Sequence, residues 1–249
     1  MTKTRDATYI ATFKNRHASM TANRTKTDAE LKMDVLAELG YEPRVKITDI
    51  GVLVKDGAVT LNGYATHYCE KRDAVCAAKR VAGVRAIADD INVKLPESIR
   101  RTDGEIAAAA ANQIDWSTTI PRGAAEITVS EGQITLEGEV EWWYQKNAAE
   151  NAVQYLAGVR GVTNLITIKP KLAPVDFETA IKSALARNAL LDAKKIQVQS
   201  TSGKVMLRGT VRNYFEREEA ERVAWAAPGV FFVENQLKVE WPWRHAESW

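Results

Sequence analysis

The sequence predicts an α+β protein built as three tandem α-β-β-α-β units, each a two-layer domain with two helices on one face of a three-stranded mixed sheet. Three observations carry that expectation. The stretch Gly132-Gln133-Ile134-Thr135-Leu136-Glu137-Gly138 has counterparts at residues 57–63 and 203–209. A Gly-Val pair follows each copy, 20 residues after its second glycine, at Gly83, Gly158 and Gly229. The copies recur after 75 and then 71 residues, a period that fits a small domain and is too long for a solenoid repeat. The expected division is a basic arm over 1–26, units over 27–95, 98–169 and 174–240, and a Trp-rich tail over 241–249.

Each unit opens with a helix. Thr27-Asp28-Ala29-Glu30 and Thr102-Asp103-Gly104-Glu105 supply a capping hydroxyl and acidic groups for the positive end of the helix dipole. Leu31, Val35 and Leu39 then recur at helical spacing, as do Ile106, Ala110 and Ile114, and Phe177, Ile181 and Leu185. Tyr41 and Trp116, at equivalent places just past the helix, are expected to lie over the core as lids. A hairpin follows, with period-2 apolar residues on both sides of a glycine turn: Asp56-Gly57, Glu131-Gly132 and a looser Thr201-Ser202-Gly203. Gly63, Gly138 and Gly209 stand where an inward side chain is due, so a bulge or close approach of the second helix is expected there. That helix is placed over residues 70–82, 145–157 and 217–227, with an alanine-rich buried face. Gly83, Gly158 and Gly229 are expected to stop it as left-handed C′ residues. A last strand, around Ile91, Ile166 and Leu237, returns parallel to its neighbour.

The Gly-x-Val/Ile-x-Leu-x-Gly strand, the alanine-containing helix, and the Gly-Val pair followed by Asp89, Asn164 or Asn235 together resemble the BON domain, in three copies spanning residues 27–240. The resemblance implies a non-catalytic protein that associates with phospholipid in osmotic stress, or, in one branch, senses potassium.

Composition narrows the function further. The 249 residues are 45% hydrophobic and 27% charged, ordinary for a globular chain. No apolar run approaches the roughly 20 residues needed to span a bilayer. The net charge of +2 is unevenly spread: residues 1–26 hold six basic side chains against Asp6 alone, and the remainder holds 28 basic and 31 acidic. With no basic stripe on the units, DNA is not an expected partner. Cys69 and Cys76, seven apart on one helix, would stand about 10 Å apart, beyond disulfide reach. With no apolar leader in residues 1–26, this leans towards a cytoplasmic setting.

Catalytic constellations are missing from the sequence. His17, His67 and His245 are the three histidines, and no metalloprotease, nucleophile-elbow or paired-CxxC motif occurs. His67, Cys69 and Cys76 offer three ligands without a closing fourth, so no metal or other cofactor is expected. What exceeds the needs of a hairpin is aromatic. Tyr64, His67 and Tyr68, then Trp142, Trp143 and Tyr144, then Tyr214 and Phe215, cluster after the second strand of each unit. Adjacent Trp142 and Trp143 cannot both point inward. The candidate binding residues are therefore Tyr68, Trp142, Trp143, Tyr144, Tyr214 and Phe215, with Trp241 and Trp243 of the tail. Their expected partner is an anionic phospholipid surface or a protein, which three linked modules would hold by avidity. The alternative is a potassium ion, held by the oxygen-rich loop at Asp89-Asp90 or by the carbonyls around Gly158–Asn164.

Overall fold

The structure, a computed structural model, describes residues 26–171 and 177–240. The basic arm up to residue 25 and the tail with Trp241 and Trp243 lie outside the described residues.

The first unit comprises α1 (Asp28–Tyr41), β1 (Ile50–Lys55), β2 (Ala58–Ala65), α2 (Tyr68–Arg80) and β3 (Ala86–Val93). The second comprises α3 (Asp103–Trp116), β4 (Ala125–Ser130), β5 (Gln133–Val140), α4 (Trp143–Val153), β6 (Gly161–Asn164) and β7 (Thr167–Ile168). The third comprises α5 (Glu178–Arg187), β8 (Ile196–Thr201), β9 (Lys204–Val211), α6 (Tyr214–Trp225) and β10 (Phe232–Val239). In every unit the middle strand pairs antiparallel with the first and parallel with the last. The parallel register is the same throughout: Ala58 faces Ala86, Gln133 faces Gly161 and Lys204 faces Phe232. β6 and β7 continue that register along β5.

Both helices bury their stripes on one sheet face. Val35 and Leu39 meet Val59 and Leu61; Ala110 meets Ile134 and Leu136; Ile181 and Leu185 meet Val205 and Leu207. Ala74, Ala78, Ala149, Ala220 and Ala224 are fully buried, and their small size brings the second helix close to the sheet.

All three hairpins are two-residue turns with both central residues at positive φ, including Ser202-Gly203 (49° and 81°). The expected looser turn in the third unit is thus the same tight turn as the others, since serine accepts the left-handed position before glycine. Asp28 clamps the first turn through the amides of Asp56 and Gly57 (2.8 and 3.1 Å), and Asp103 clamps the second through those of Glu131 and Gly132 (2.8 and 2.9 Å). Reciprocal capping boxes, Thr27 with Glu30 and Thr102 with Glu105, start α1 and α3.

Gly63, Gly138 and Gly209 share one environment, but the second helix does not create it. A Cβ at each would lie about 2 Å from a carbonyl oxygen leading into the first strand: Asp49 (2.1 Å), Ala124 (2.1 Å) and Lys195 (1.9 Å). Gly83, Gly158 and Gly229 do not cap the helix directly, because the helices end at Arg80, Val153 and Trp225. Each glycine instead occupies the third position of a four-residue turn closed by Val84 to Val81, Val159 to Leu156 or Val230 to Ala227 hydrogen bonds. Positive φ at that position (89–104°) is what a type II turn demands, and Pro228-Gly229 carries its signature.

Tyr41 and Trp116 are not lids: each is 86% exposed at the last position of α1 or α3. They fall two residues after Leu39 and Ile114, about 200° around the helix from the buried stripe.

Candidate functional site

The second helices start two or three residues earlier than periodicity suggests, which makes Tyr68, Trp143 and Tyr214 equivalent first residues of α2, α4 and α6. Two of them join units. Tyr68 packs against the core of the second unit. Tyr214 packs against the core of the first, and its hydroxyl donates to the Arg85 carbonyl at 2.7 Å. The receiving surfaces correspond as well, being the start of β3 for Tyr214 and the Val162 region of β6 for Tyr68. One geometric relation thus carries the third unit onto the first and the first onto the second.

Trp143 follows a different course. It lines a cavity of about 730 Å³ where the three units meet. Arg72, Asn147 and Glu218 occupy the same repeat position and all face this space, so α2, α4 and α6 present the same face to it. Trp142 turns the other way and stacks on Tyr144, with centroids 6.3 Å apart. Tyr144 is exposed, and Phe215 is exposed at the rim of the cavity. Sequence reasoning overlooked Arg72 and Arg160, and it took Tyr41 and Trp116 for core lids, whereas both are exposed. Comparing the outward helix faces of the three repeats could have picked out Arg72, because a charge with no place in a single unit's core needs another role.

Electrostatics at the unit boundaries follows from burial. Burial pushes the Tyr68 phenol above its ordinary pKa; Arg72 and the Val162 backbone oppose this, while Glu150 and Asp89 add to it. Burial lowers the Lys146 ammonium, which Glu150 partly restores. Burial also works against the Glu70 carboxylate. The amides of Thr66 and Lys46, the Thr66 hydroxyl and the Lys46 charge outweigh it and hold the pKa below the usual glutamate value. Gln145 takes the same place in the second unit and accepts from the amides of Glu141 and Trp142 at 3.1 Å each.

The residues before the last core position staple strand to helix. Asn164 and Asn235 donate to the Lys146 and Arg217 carbonyls (2.8 and 3.1 Å) and accept from the amides of Ile166 and Leu237. Asp89 cannot donate, and Lys71 completes the staple by bonding both Asp89 (3.2 Å) and the Ile91 carbonyl (2.8 Å). His67 is exposed and hydrogen-bonded to Thr66. Cys69 and Cys76 are free thiols. Among the described residues, no three histidines, cysteines or carboxylates gather into a metal site.

A family model described as "BON domain" matches residues 27–94, 102–170 and 175–240. The chain belongs to the BON domain family. The chain is similar in sequence to Osmotically-inducible protein Y of Escherichia coli (strain K12), at 26% identity over 146 residues, which is 57% of this chain and 73% of that protein. Two solved chains of CdsD, a structural protein of the type III secretion system of Chlamydia trachomatis, also match. One aligns at 13% identity and a TM-score of 0.22, covering 84% of this chain and 91% of its own. The other, its C-terminal domain, aligns at 15% and 0.24, covering 86% and 98%.

Proposed function

We propose that this chain is a non-enzymatic binding protein of osmotic stress that rests peripherally on anionic phospholipid through its BON units. The observation that carries this reading is the pair Tyr41 and Trp116. These are aromatic rings at one repeat position in two units, each 86% exposed and each made available by a helix whose opposite face is buried. A large amphipathic ring left in water at equivalent points of linked modules suits a headgroup layer, where its apolar face and polar edge are both satisfied. The stacked Trp142 and Tyr144 add a further partly exposed aromatic surface. The basic residues of 1–26 supply the attraction to negative charge. Each contact alone would hold weakly and reversibly; several together give stable peripheral attachment. No helix of the described residues is long and apolar enough to cross a membrane. Support also comes from the family and from the osmotic induction in the relative's name. A potassium-sensing reading gains no support from Asp89, whose side-chain oxygens are engaged within its own unit by the Ile91 amide and Lys71.

Sedimentation with vesicles tests the proposal. The full chain should pellet with phosphatidylglycerol-containing vesicles at low salt, less at high salt, and weakly with pure phosphatidylcholine. The Tyr41→Ser/Trp116→Ser double variant should lose most of that binding while keeping its melting temperature. Failure of the unaltered chain to pellet with the anionic vesicles would remove the proposal.

A further inference from the structure

The cavity between the three units holds more charge than packing requires, and the charges do not all pair. Its five acidic groups are engaged: Asp89 by Lys71, Glu150 by the Asn164 amide at 3.4 Å, Glu218 by Lys79, Glu219 by Arg222 and Asn188, and Glu221 by Asn235. Arg217 is likewise occupied, donating to the carbonyls of Asn235 and Leu237. Two guanidinium groups on the lining stand apart. No hydrogen bond or ion pair among the described residues engages that of Arg160. Arg72 comes no nearer to a carboxylate than 4.0 Å, at Glu150, and its Nη1 is shielded from water without a hydrogen-bond partner. The Asn147 amide, at the repeat position of Arg72, is also unengaged among the described residues.

Leaving a shielded guanidinium donor without an acceptor is unfavourable, and an anion would relieve it. Arginine is suited to this task because its planar fork meets carboxylate or phosphate with two parallel bonds. Beside these donors lie rings, Trp143 from the second unit and Phe215 from the third. At about 730 Å³ the cavity falls in the range of small-molecule sites. We infer that this cavity binds a small organic anion, its phosphate or carboxylate held by Arg72, Arg160 and Asn147 and its body laid against Trp143 and Phe215.

The arrangement explains why one repeat position carries Arg72, Asn147 and Glu218. A repeated unit needs no particular residue at this outward point of the helix. Once three helices meet, three different residues there turn a near-symmetric space into an oriented one, with donors from the first two units and an acid on the third. Arg72 and Arg160 come from different units, so the ligand also bridges the first BON unit to the second. This site is independent of the phospholipid surface, and either can fail without the other.

The test is calorimetric titration of the full chain, without vesicles, using phenyl phosphate, benzoate and inorganic phosphate. Phenyl phosphate should bind saturably at one site per chain and more tightly than inorganic phosphate. Arg160→Gln, which removes an exposed and unengaged group, should keep the melting temperature and weaken phenyl phosphate at least about tenfold, the scale of a lost charge-assisted pair. Arg72→Gln should do the same, whereas Trp143→Leu should weaken phenyl phosphate and leave inorganic phosphate unchanged. Two results would overturn the inference: no saturable binding of phenyl phosphate or benzoate at about 10 mM, where even the weakest useful affinities register, or undiminished affinity in Arg160→Gln.

Discussion

The phenolic hydroxyl of Tyr214 donates to the backbone carbonyl of Arg85, 2.7 Å away and 129 residues earlier in the chain. This bond closes the third unit onto the first, although the second lies between them in sequence. Lys79 of α2 reaches Glu218 of α6 alongside it. The chain is therefore folded back on itself, and the cavity exists because of that closure.

Removing both links should release the third unit. Tyr214→Phe alone loses one hydrogen bond, about 1 kcal/mol, and Lys79→Ala loses an exposed ion pair of smaller value. The double variant should show a larger radius of gyration by small-angle scattering and a separate, earlier calorimetric transition. A single transition at an unchanged radius would show that other contacts hold the closure.

Gly138 should tolerate no side chain. Its φ of 135° already disfavours an L-residue, and a Cβ would sit 2.1 Å from the Ala124 carbonyl oxygen, a backbone atom that cannot swing aside. Gly138→Ala should cost about 3 kcal/mol or more in urea unfolding. Gly104 is the control: it lies in α3, and a Cβ there would meet nothing within 4 Å, so Gly104→Ala should stabilise by about 0.5–1 kcal/mol.

The contrast between these glycines shows which features a sequence exposes. The spacing of 6 and 20 residues between glycines was legible because each glycine answers a local demand: a turn, a close backbone approach, a second turn. The core stripes of α1 and α3 were legible for the same reason; Tyr41 and Trp116 were misplaced because they read as lying just past the helix, whereas each is its last residue, where i+2 from the stripe turns outward. Tyr68 and Tyr214 stood out as repeated aromatics. Their partners did not, because no local pattern encodes the rotation of one unit onto the next. The cavity was hidden in the same way, since its lining residues read as plain surface until three helices are brought together.

Asp103 should matter more than an acidic residue in an exposed helix turn usually does. Its two carboxylate oxygens accept from the amides of Glu131 and Gly132, tying α3 to the hairpin turn 28 residues later. Asp103→Ala should destabilise the protein by about 2 kcal/mol, the worth of charge-assisted bonds at a partly buried turn. Asp103→Asn, which keeps one acceptor oxygen, should fall in between. Chemical denaturation of the two variants would decide it, equal and negligible losses counting against the clamp.

Acid should act on the first unit through Glu70. Its folded pKa lies below the ordinary glutamate value of about 4.3, because amide donors and Lys46 favour the charged form despite burial. A depressed carboxylate stabilises fully above the unfolded pKa, and the benefit is lost as pH falls through the folded value. Glu70→Gln copies the residue the second unit already uses, Gln145, and should fold. The stability advantage of the unaltered protein over this variant should be constant above about pH 5.5 and shrink below about pH 4. Urea midpoints measured across that range check the sign. A gap that widens towards acid would mean that Glu70 is held protonated, and that its amide contacts do not set its charge.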